Sequence, residues 1–98
     1  MGVKLGLLVR LEAKPGKEEE LAAFLEAGRA LAVAEAGTVT WYAFRLGERE
    51  FGIFDTFTSQ DGRQAHLEGP IARALAESGP ALLAGAPAIT PVDIVAAT

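Results

Sequence analysis

The chain has 98 residues, a formal net charge of −4 at pH 7, one His and no Cys. This length allows one domain over residues 1–98, and the acidic balance with scattered basic residues argues against nucleic-acid binding. Without Cys there are no disulfides, thiolate nucleophiles or sulfur-ligated metals, and one His cannot build a multi-histidine metal site.

Targeting and cofactor motifs are absent from the sequence. No apolar run approaches the roughly 20 residues that span a bilayer, and the N-terminal residues lack the apolar core of a signal peptide. No phosphate loop, dinucleotide fingerprint or nucleophile elbow occurs either. We therefore expect a cytoplasmic protein with no metal, no cofactor and no membrane partner.

The first elements are a strand and a helix. Apolar residues alternate with other residues from Val3 to Ala13, which predicts a strand with one apolar face. Lys14-Pro15-Gly16 ends this strand. From Lys17 to about Ala36 apolar residues recur at helical spacing, and the resulting stripe includes Glu35. An amphipathic helix is predicted there.

Two further strands should form a hairpin. Thr38–Leu46 is rich in β-branched and aromatic residues, and Phe51–Phe57 alternates again. Gly47–Glu50, between them, has the composition of a turn. Strands that are joined by so short a turn pair in antiparallel fashion.

The register of this hairpin decides which side chains face the helices. With the four-residue turn just described, Tyr42 lies opposite Asp55 on the helix-facing side, and a slip by one residue would exchange the two faces. Trp41 and Phe54 lie on the other face, where a monomer would expose them. We therefore predict a homodimer that forms through this sheet face, with Trp41 and Phe54 in the contact.

The rest of the chain supplies a second helix and a last strand. Ser59 or Asp61 can cap a helix that Gly69-Pro70 kinks or splits. Ile89–Ala96 is the last strand, where Pro91 indicates an edge position or a bulge. The order β-α-β-β-α-β predicts an α+β, ferredoxin-like fold: a four-stranded antiparallel sheet with both helices on one face.

Three side chains are candidate catalytic residues. His66 is a candidate base because the ordinary pKa of His lies near neutrality, although it could equally be a structural His. A hydrogen bond from Tyr42 to Asp55 would satisfy both groups, and the same pair could orient or deprotonate a phenolic substrate. Aromatic residues on strands are commonly core residues, but three of them could border a pocket within the subunit: Phe44, Phe51 and Phe57.

A series of short segments carries a family resemblance. In chain order they are Lys14-Pro15-Gly16-Lys17-Glu18, Glu35-Ala36-Gly37, Trp41-Tyr42, Phe54-Asp55-Thr56-Phe57 and, after Ser59, Gln64-Ala65-His66-Leu67. In this order and spacing the chain resembles the antibiotic-biosynthesis-monooxygenase family over nearly its whole length. The resemblance implies a dimeric α+β barrel, in which two sheets face each other and each subunit has a small-molecule pocket between sheet and helices.

The resemblance implies several reactions, because relatives include cofactor-independent monooxygenases of aromatic phenols, haem-degrading enzymes, isomerases and quinol oxidases. Phe57 stands where many members carry Trp, and the chain has no Asn. Haem-degrading members have a ligating His late in the second helix, where this chain reads Arg73-Ala74-Leu75-Ala76. Haem degradation is therefore disfavoured.

Three hypotheses remain. The first is a cofactor-independent monooxygenase or related oxidoreductase that acts on a small aromatic or quinonoid metabolite. The second is a non-catalytic dimeric module that binds a small ligand. The third is an isomerase or quinol oxidase of the same superfamily, which the sequence does not separate from the first.

Overall fold

Four strands and three helices make up most of the computed structural model, which describes residues 3–98. In chain order they are β1 (Leu5–Glu12), α1 (Glu18–Val33), β2 (Thr38–Arg45), β3 (Glu50–Phe57), α2 (Gln60–Leu67), α3 (Pro70–Leu82) and β4 (Ala88–Asp93). The strands form one antiparallel sheet in the order β2-β3-β1-β4. This confirms the predicted α+β, ferredoxin-like fold. None of the helices in the described part of the chain is long and apolar enough to cross a membrane.

Local sequence explains where several elements begin and end. Gly16 turns the chain out of β1 with a φ of 86°, in the left-handed region that favours glycine. Ser59 caps α2, because its Oγ accepts a hydrogen bond from the Gly62 N–H at 3.2 Å. Pro70 occupies the first turn of α3, so the second helical region is split as predicted. Pro91 lies in β4, an edge strand.

The core lies between the sheet and the helices. The predicted apolar face of β1 is buried there, as the exposed fractions of Leu7, Val9 and Leu11 are 1%, 7% and 3%. The largest cluster of buried apolar residues contains Val9, Leu11, Ala13, Leu21, Leu25, Phe51, Ile53, Leu82 and Leu83. Phe51, a predicted pocket residue, is thus a member of this core.

The register of the β2–β3 hairpin differs from the prediction by one residue. Trp41 pairs with Asp55, and Tyr42 pairs with Phe54. Because neighbouring residues on a strand point to opposite faces, Trp41 faces the helices whereas Tyr42 and Phe44 face the outer side. The predicted pairing of Tyr42 with Asp55 and the predicted place of Trp41 in an intersubunit contact are therefore wrong. The faces of β3 are as predicted, so Phe54 lies on the outer face.

The turn between β2 and β3 accounts for the shift. It is one residue shorter than predicted, because the Leu46 N–H donates a hydrogen bond to the Glu50 carbonyl at 2.8 Å and only Gly47–Arg49 lie between them. The guanidinium of Arg45 donates hydrogen bonds to the carbonyl oxygens of Gly47 at 3.1 Å and Glu48 at 2.7 Å, which holds this shorter turn. In this register the large apolar indole of Trp41 packs against the core, while the hydroxyl of Tyr42 stays in solvent.

The outer face of the sheet carries large apolar side chains that this chain leaves partly exposed. Tyr42 is 61% exposed, and Leu8, Phe44 and Phe54 are half-buried. The Phe44 ring lies over Gly52, where a Cβ atom would collide with it. Phe44 therefore does not enter the space between sheet and helices, which corrects its predicted place in an internal pocket.

Candidate functional site

A buried charged cluster lies where α2 and β3 meet the turn that follows α1. The Nδ1 atom of His66 is 2.6 Å from Oε1 of Glu35, and its Nε2 atom is 2.9 Å from Oδ2 of Asp55. The side chain of His66 is 8% exposed, that of Asp55 is 0% exposed and that of Glu35 is 14% exposed. Both nitrogens of one imidazole thus face carboxylates in a space that is nearly closed to solvent.

Three elements bring these side chains together. Asp55 comes from the inner strand β3, His66 from the last turn of α2, and Glu35 from the turn after α1. The start of α2 lies against this turn because two glycines meet there. A Cβ atom on Gly37 would be only 2.8 Å from the Cα atom of Gly62. Absence of side chains at both positions therefore permits the approach of His66 to Glu35.

Neighbouring residues hold the Glu35 side of the cluster. The Thr38 hydroxyl donates a hydrogen bond to Oε1 of Glu35 at 2.9 Å. Gly69 leaves room for the other carboxylate oxygen, since a Cβ atom there would lie 3.1 Å from Oε2. Phe57, the third predicted pocket residue, is fully buried, and its ring centroid is 5.3 Å from that of His66. The imidazole is therefore fixed by an aromatic ring as well as by charge.

The Asp55 carboxylate is short of hydrogen-bond donors. Neither oxygen receives a well-directed hydrogen bond from the part of the chain that the structure describes, although both are buried. Oδ2 is close to Nε2 of His66 but lies off the direction of the ring N–H, so we describe this contact as an ion pair. Asp55 is thus held near a positive charge, and both of its oxygens can still accept a hydrogen bond.

The surroundings of His66 favour its protonated form. Burial lowers the pKa of His66, but the short polar contacts and negative charges of Asp55 and Glu35 raise it by more, so the pKa lies above its ordinary value. The position in the last turn of α2 also favours positive charge. A doubly protonated ring has an N–H for each carboxylate, whereas a neutral ring would turn a lone pair towards one of them.

Two apolar spaces lie between α1 and the sheet, and Trp41 lines both. The inner pocket, of about 100 Å³, lies between α1, α3 and the sheet, and Trp41, Ile53 and Ile71 are among its walls. The outer cleft, of about 410 Å³, runs along α1 and the edge strand β2, and its walls include Trp41 and two predicted pocket residues, Phe44 and Phe51. Trp41 pairs with Asp55, and Ile53 precedes Asp55 by two residues on the same face, so two wall residues of the inner pocket are neighbours of Asp55 in the sheet. The side chains of the charged cluster do not themselves line the pocket.

The structure brings together two of the three predicted catalytic residues. His66 and Asp55 are in contact, whereas Tyr42 lies on the opposite face of the sheet, exposed to solvent. Catalytic roles for His66 and Asp55 remain predictions. Sequence reasoning missed Glu35 as a partner of His66 and placed Trp41 on the wrong face. The signal for Glu35 was present, because an acidic residue within an apolar helical stripe requires a buried partner.

The cluster is not arranged as a metal site. Among residues 3–98, no group of three or more His, Asp or Glu side chains converges in a way that could hold a metal ion. Each carboxylate instead faces its own nitrogen of His66, so the ring lies between the acidic groups and presents no free nitrogen as a ligand.

Several proteins of known structure share this fold. A protein of unknown function from Nitrosomonas europaea is 50% identical over 98% of this chain and 93% of its own, with a TM-score of 0.96. Two others are named putative antibiotic biosynthesis monooxygenases. The one from Nitrosomonas europaea is 12% identical, with a TM-score of 0.84 over 94% of this chain and 99% of its own. The one from Caulobacter crescentus is 24% identical, with a TM-score of 0.79 over 96% of this chain and 92% of its own.

No known protein-family profile matches the sequence, and no curated protein is similar to it. At 12% and 24% identity, the two named proteins share the fold with this chain and nothing more specific. Half of all aligned residues are shared with the protein of unknown function, over nearly the full length of both chains. The chain therefore belongs to the same family as that Nitrosomonas europaea protein, within the fold of the antibiotic-biosynthesis-monooxygenase-like proteins.

Proposed function

We propose that this protein is a cofactor-independent monooxygenase, or a related oxidoreductase, that acts on a small aromatic or quinonoid molecule bound between the sheet and the helices. The observation that carries this proposal is the buried ion pair of His66 and Asp55, which lies next to Trp41 and Ile53, two wall residues of an apolar pocket. Buried charges are costly to keep, and perturbed ionisable groups beside a pocket are typical of catalytic sites. The names of the two monooxygenase-like neighbours support the same reaction class.

The proposed reaction places few demands on the protein. A phenol that loses its proton becomes a phenolate, which can give one electron to O₂ and form a phenoxyl radical and superoxide. These two combine at a ring carbon, and loss of water from the hydroperoxide leaves a quinone, so that phenol and O₂ yield quinone and water. The protein must hold the substrate, exclude bulk water and accept the phenol proton.

Asp55 is the proton acceptor in this proposal. Its oxygens are buried and lack hydrogen-bond donors, and the positive charge of His66 compensates for its own. Glu35, on the other side of the ring, holds His66 in its charged form. His66 thus acts through Asp55 instead of meeting the substrate first, which modifies the role of general base that the sequence suggested.

Asp55→Asn tests this assignment, with Asp61→Asn as the matched control. Both replace an Asp by its neutral isostere, but Asp61 is exposed in the first turn of α2. Oxygen consumption with 1-naphthol and naphthalene diols as trial substrates should fall by about 100-fold or more in Asp55→Asn and stay unchanged in Asp61→Asn. A folded Asp55→Asn protein with full activity, or a wild-type protein that oxidises none of these compounds, would contradict the proposal.

A second function, small-ligand binding without catalysis, is favoured by one observation. Asp55 is fully buried, and it is Trp41 and Ile53 that form the neighbouring wall of the pocket. A ligand in the inner pocket would contact apolar side chains unless Trp41 moved. Ligand binding with no oxygen consumption and no change in the ligand would establish this alternative, while isomerised product would favour an isomerase.

We also propose that the protein forms a homodimer through the outer face of the sheet. Support comes from the apolar side chains left partly exposed on that face, among them Leu8, Phe44 and Phe54. A second copy would bury them. Phe54→Lys should convert a dimer into a monomer in sedimentation experiments, whereas Val95→Lys, at a position that is 98% exposed, should not. A wild-type protein that is monomeric at tens of micromolar would refute the dimer.

A further inference from the structure

Trp41 separates the inner pocket from the outer cleft. Both spaces are lined by Trp41 and Leu25. Trp41 comes from the edge strand β2, and the far end of its indole reaches α1, where a Cβ atom on Gly28 would lie 3.6 Å from the ring. The indole therefore crosses the gap between the sheet edge and the helix. A Cβ atom at that distance would be in ordinary van der Waals contact with the ring, so position 28 lies directly beside the indole.

Little holds the indole in this position apart from packing. Its N–H is buried, and residues 3–98 offer it no acceptor. A buried donor without a partner is unfavourable, so any ligand atom that accepts this hydrogen bond gains affinity. Gly28 has no side chain, and even a Cβ atom added there would meet the ring only at ordinary van der Waals distance. The ring can therefore turn without breaking a polar contact.

The inner pocket alone is too small for a two-ring molecule. Its volume is about 100 Å³, whereas a cavity that binds a single benzene ring measures roughly 150 Å³. The outer cleft adds about 410 Å³ on the other side of the indole. A larger aromatic ligand fits only if the two spaces join, which requires the Trp41 ring to move.

We propose that the inner pocket and the outer cleft are two parts of one ligand site divided by Trp41, and that the ligand is an aromatic molecule whose oxygen accepts a hydrogen bond from the Trp41 N–H. This inference rests on the proposed function, because it defines the ligand class of the same site. Trp41 is the cross-strand neighbour of Asp55. An oxygen bound at the indole is thus placed beside the carboxylate that would accept its proton.

The single Trp of the chain makes the test direct. A ¹⁵N-labelled sample gives one indole N–H resonance, which can be followed during titration with 1-naphthol or with naphthalene, a matched ring that has no oxygen. We expect 1-naphthol to bind about tenfold more tightly than naphthalene and to move the indole proton downfield. In Trp41→Phe, which keeps a ring but has no N–H, the two compounds should bind equally.

The outcomes separate this inference from the proposed function. If 1-naphthol and naphthalene bind wild-type protein equally well and the indole resonance does not shift downfield, the inference is wrong while the aromatic site stands. If neither compound binds up to its solubility limit, the aromatic ligand class fails, and the proposed function fails with it. The wild-type titration decides between these results even if Trp41→Phe does not fold.

Discussion

The two faces of the sheet differ in which kind of side-chain group lacks a partner. On the helix-facing side apolar groups are buried, and the groups without hydrogen-bond partners among residues 3–98 are polar: the carboxylate of Asp55, Oε2 of Glu35 and the N–H of Trp41. On the outer side the polar hydroxyls of Thr40 and Thr56 meet at 2.6 Å, while Tyr42 is exposed and its apolar neighbours are only half-buried. Buried polar groups without hydrogen bonds can bind a small ligand that has polar atoms. Exposed apolar side chains can instead be buried by a second protein surface.

This contrast depends on the register of one edge strand. Because successive side chains of β2 point to opposite faces of the sheet, a shift by one residue would turn Tyr42 towards the helices and Trp41 towards the outer side. The inner face would then offer a phenol to Asp55 in place of an indole. Substitutions on each face and a change of pH test this contrast through the free energy of unfolding.

Asp55→Asn should destabilise the protein more than any other change considered. It leaves the buried His66 with a single charged partner, and breaking a buried ion pair costs about 3 kcal/mol or more. The free energy of unfolding, from urea denaturation at pH 7, should fall by about that amount. Asp61→Asn should change it by less than about 0.5 kcal/mol. Equal stability of the two variants would mean that the cluster is not a buried charged unit.

Gly52→Ala should destabilise the outer face. The added Cβ collides with the Phe44 ring, and crowding of this kind costs about 1–3 kcal/mol. In a Phe44→Ala background the same substitution should be neutral or slightly stabilising, because glycine itself is unfavourable in a strand. A double-mutant cycle of unfolding free energies measures this coupling. If Gly52→Ala still lowered the unfolding free energy in the Phe44→Ala background, a collision with the Phe44 ring would not be the cause.

Stability should depend on pH through His66. Its pKa is raised in the folded protein, so its contribution is complete below the unfolded pKa, about 6.5, and is lost as pH rises through the folded value. The stability difference between wild type and His66→Gln should therefore shrink from pH 6 to pH 9. A difference that grows with pH would show that burial, and not the two carboxylates, dominates the pKa of His66.

Tyr42→Phe should have the smallest effect. Its side chain is largely exposed on the outer face, so loss of the hydroxyl should change the unfolding free energy by less than about 0.5 kcal/mol. In the alternative register the same hydroxyl would be buried against Asp55, and its loss would cost about 1–3 kcal/mol. Urea denaturation of this single variant thus reports the register of β2 directly.

Most of the fold could be predicted because its signals are local. Alternation defined β1, helical spacing defined α1, and Gly69-Pro70 marked the break between α2 and α3. The register of β2 carried no such signal. Trp41-Tyr42-Ala43-Phe44 is apolar or aromatic throughout, so alternation does not distinguish its faces, and the turn sequence fits a loop of three residues as well as one of four. Only packing of the indole against α1 and the hydrogen bonds of Arg45 decide between them.

The candidate site was predicted in part for a related reason. His66 and Asp55 could be chosen by chemical type, as the one His and a carboxylate on an apolar strand face. Glu35 was missed although it fell in the apolar stripe of the first helix, because its partner is 31 residues away in sequence. Long-range partners of this kind depend on how α2 packs, which sequence periodicity does not describe.

The contact between Gly37 and Gly62 has a consequence for genetic screens. Substituting either glycine would push α2 away from the turn after α1 and separate His66 from Glu35 without altering any ionisable side chain. A mutational scan scored on activity would then mark two residues with no functional group as essential, and they would be mistaken for part of the reaction chemistry. Scoring the same library for abundance as well would show whether they act through the shape of the backbone alone.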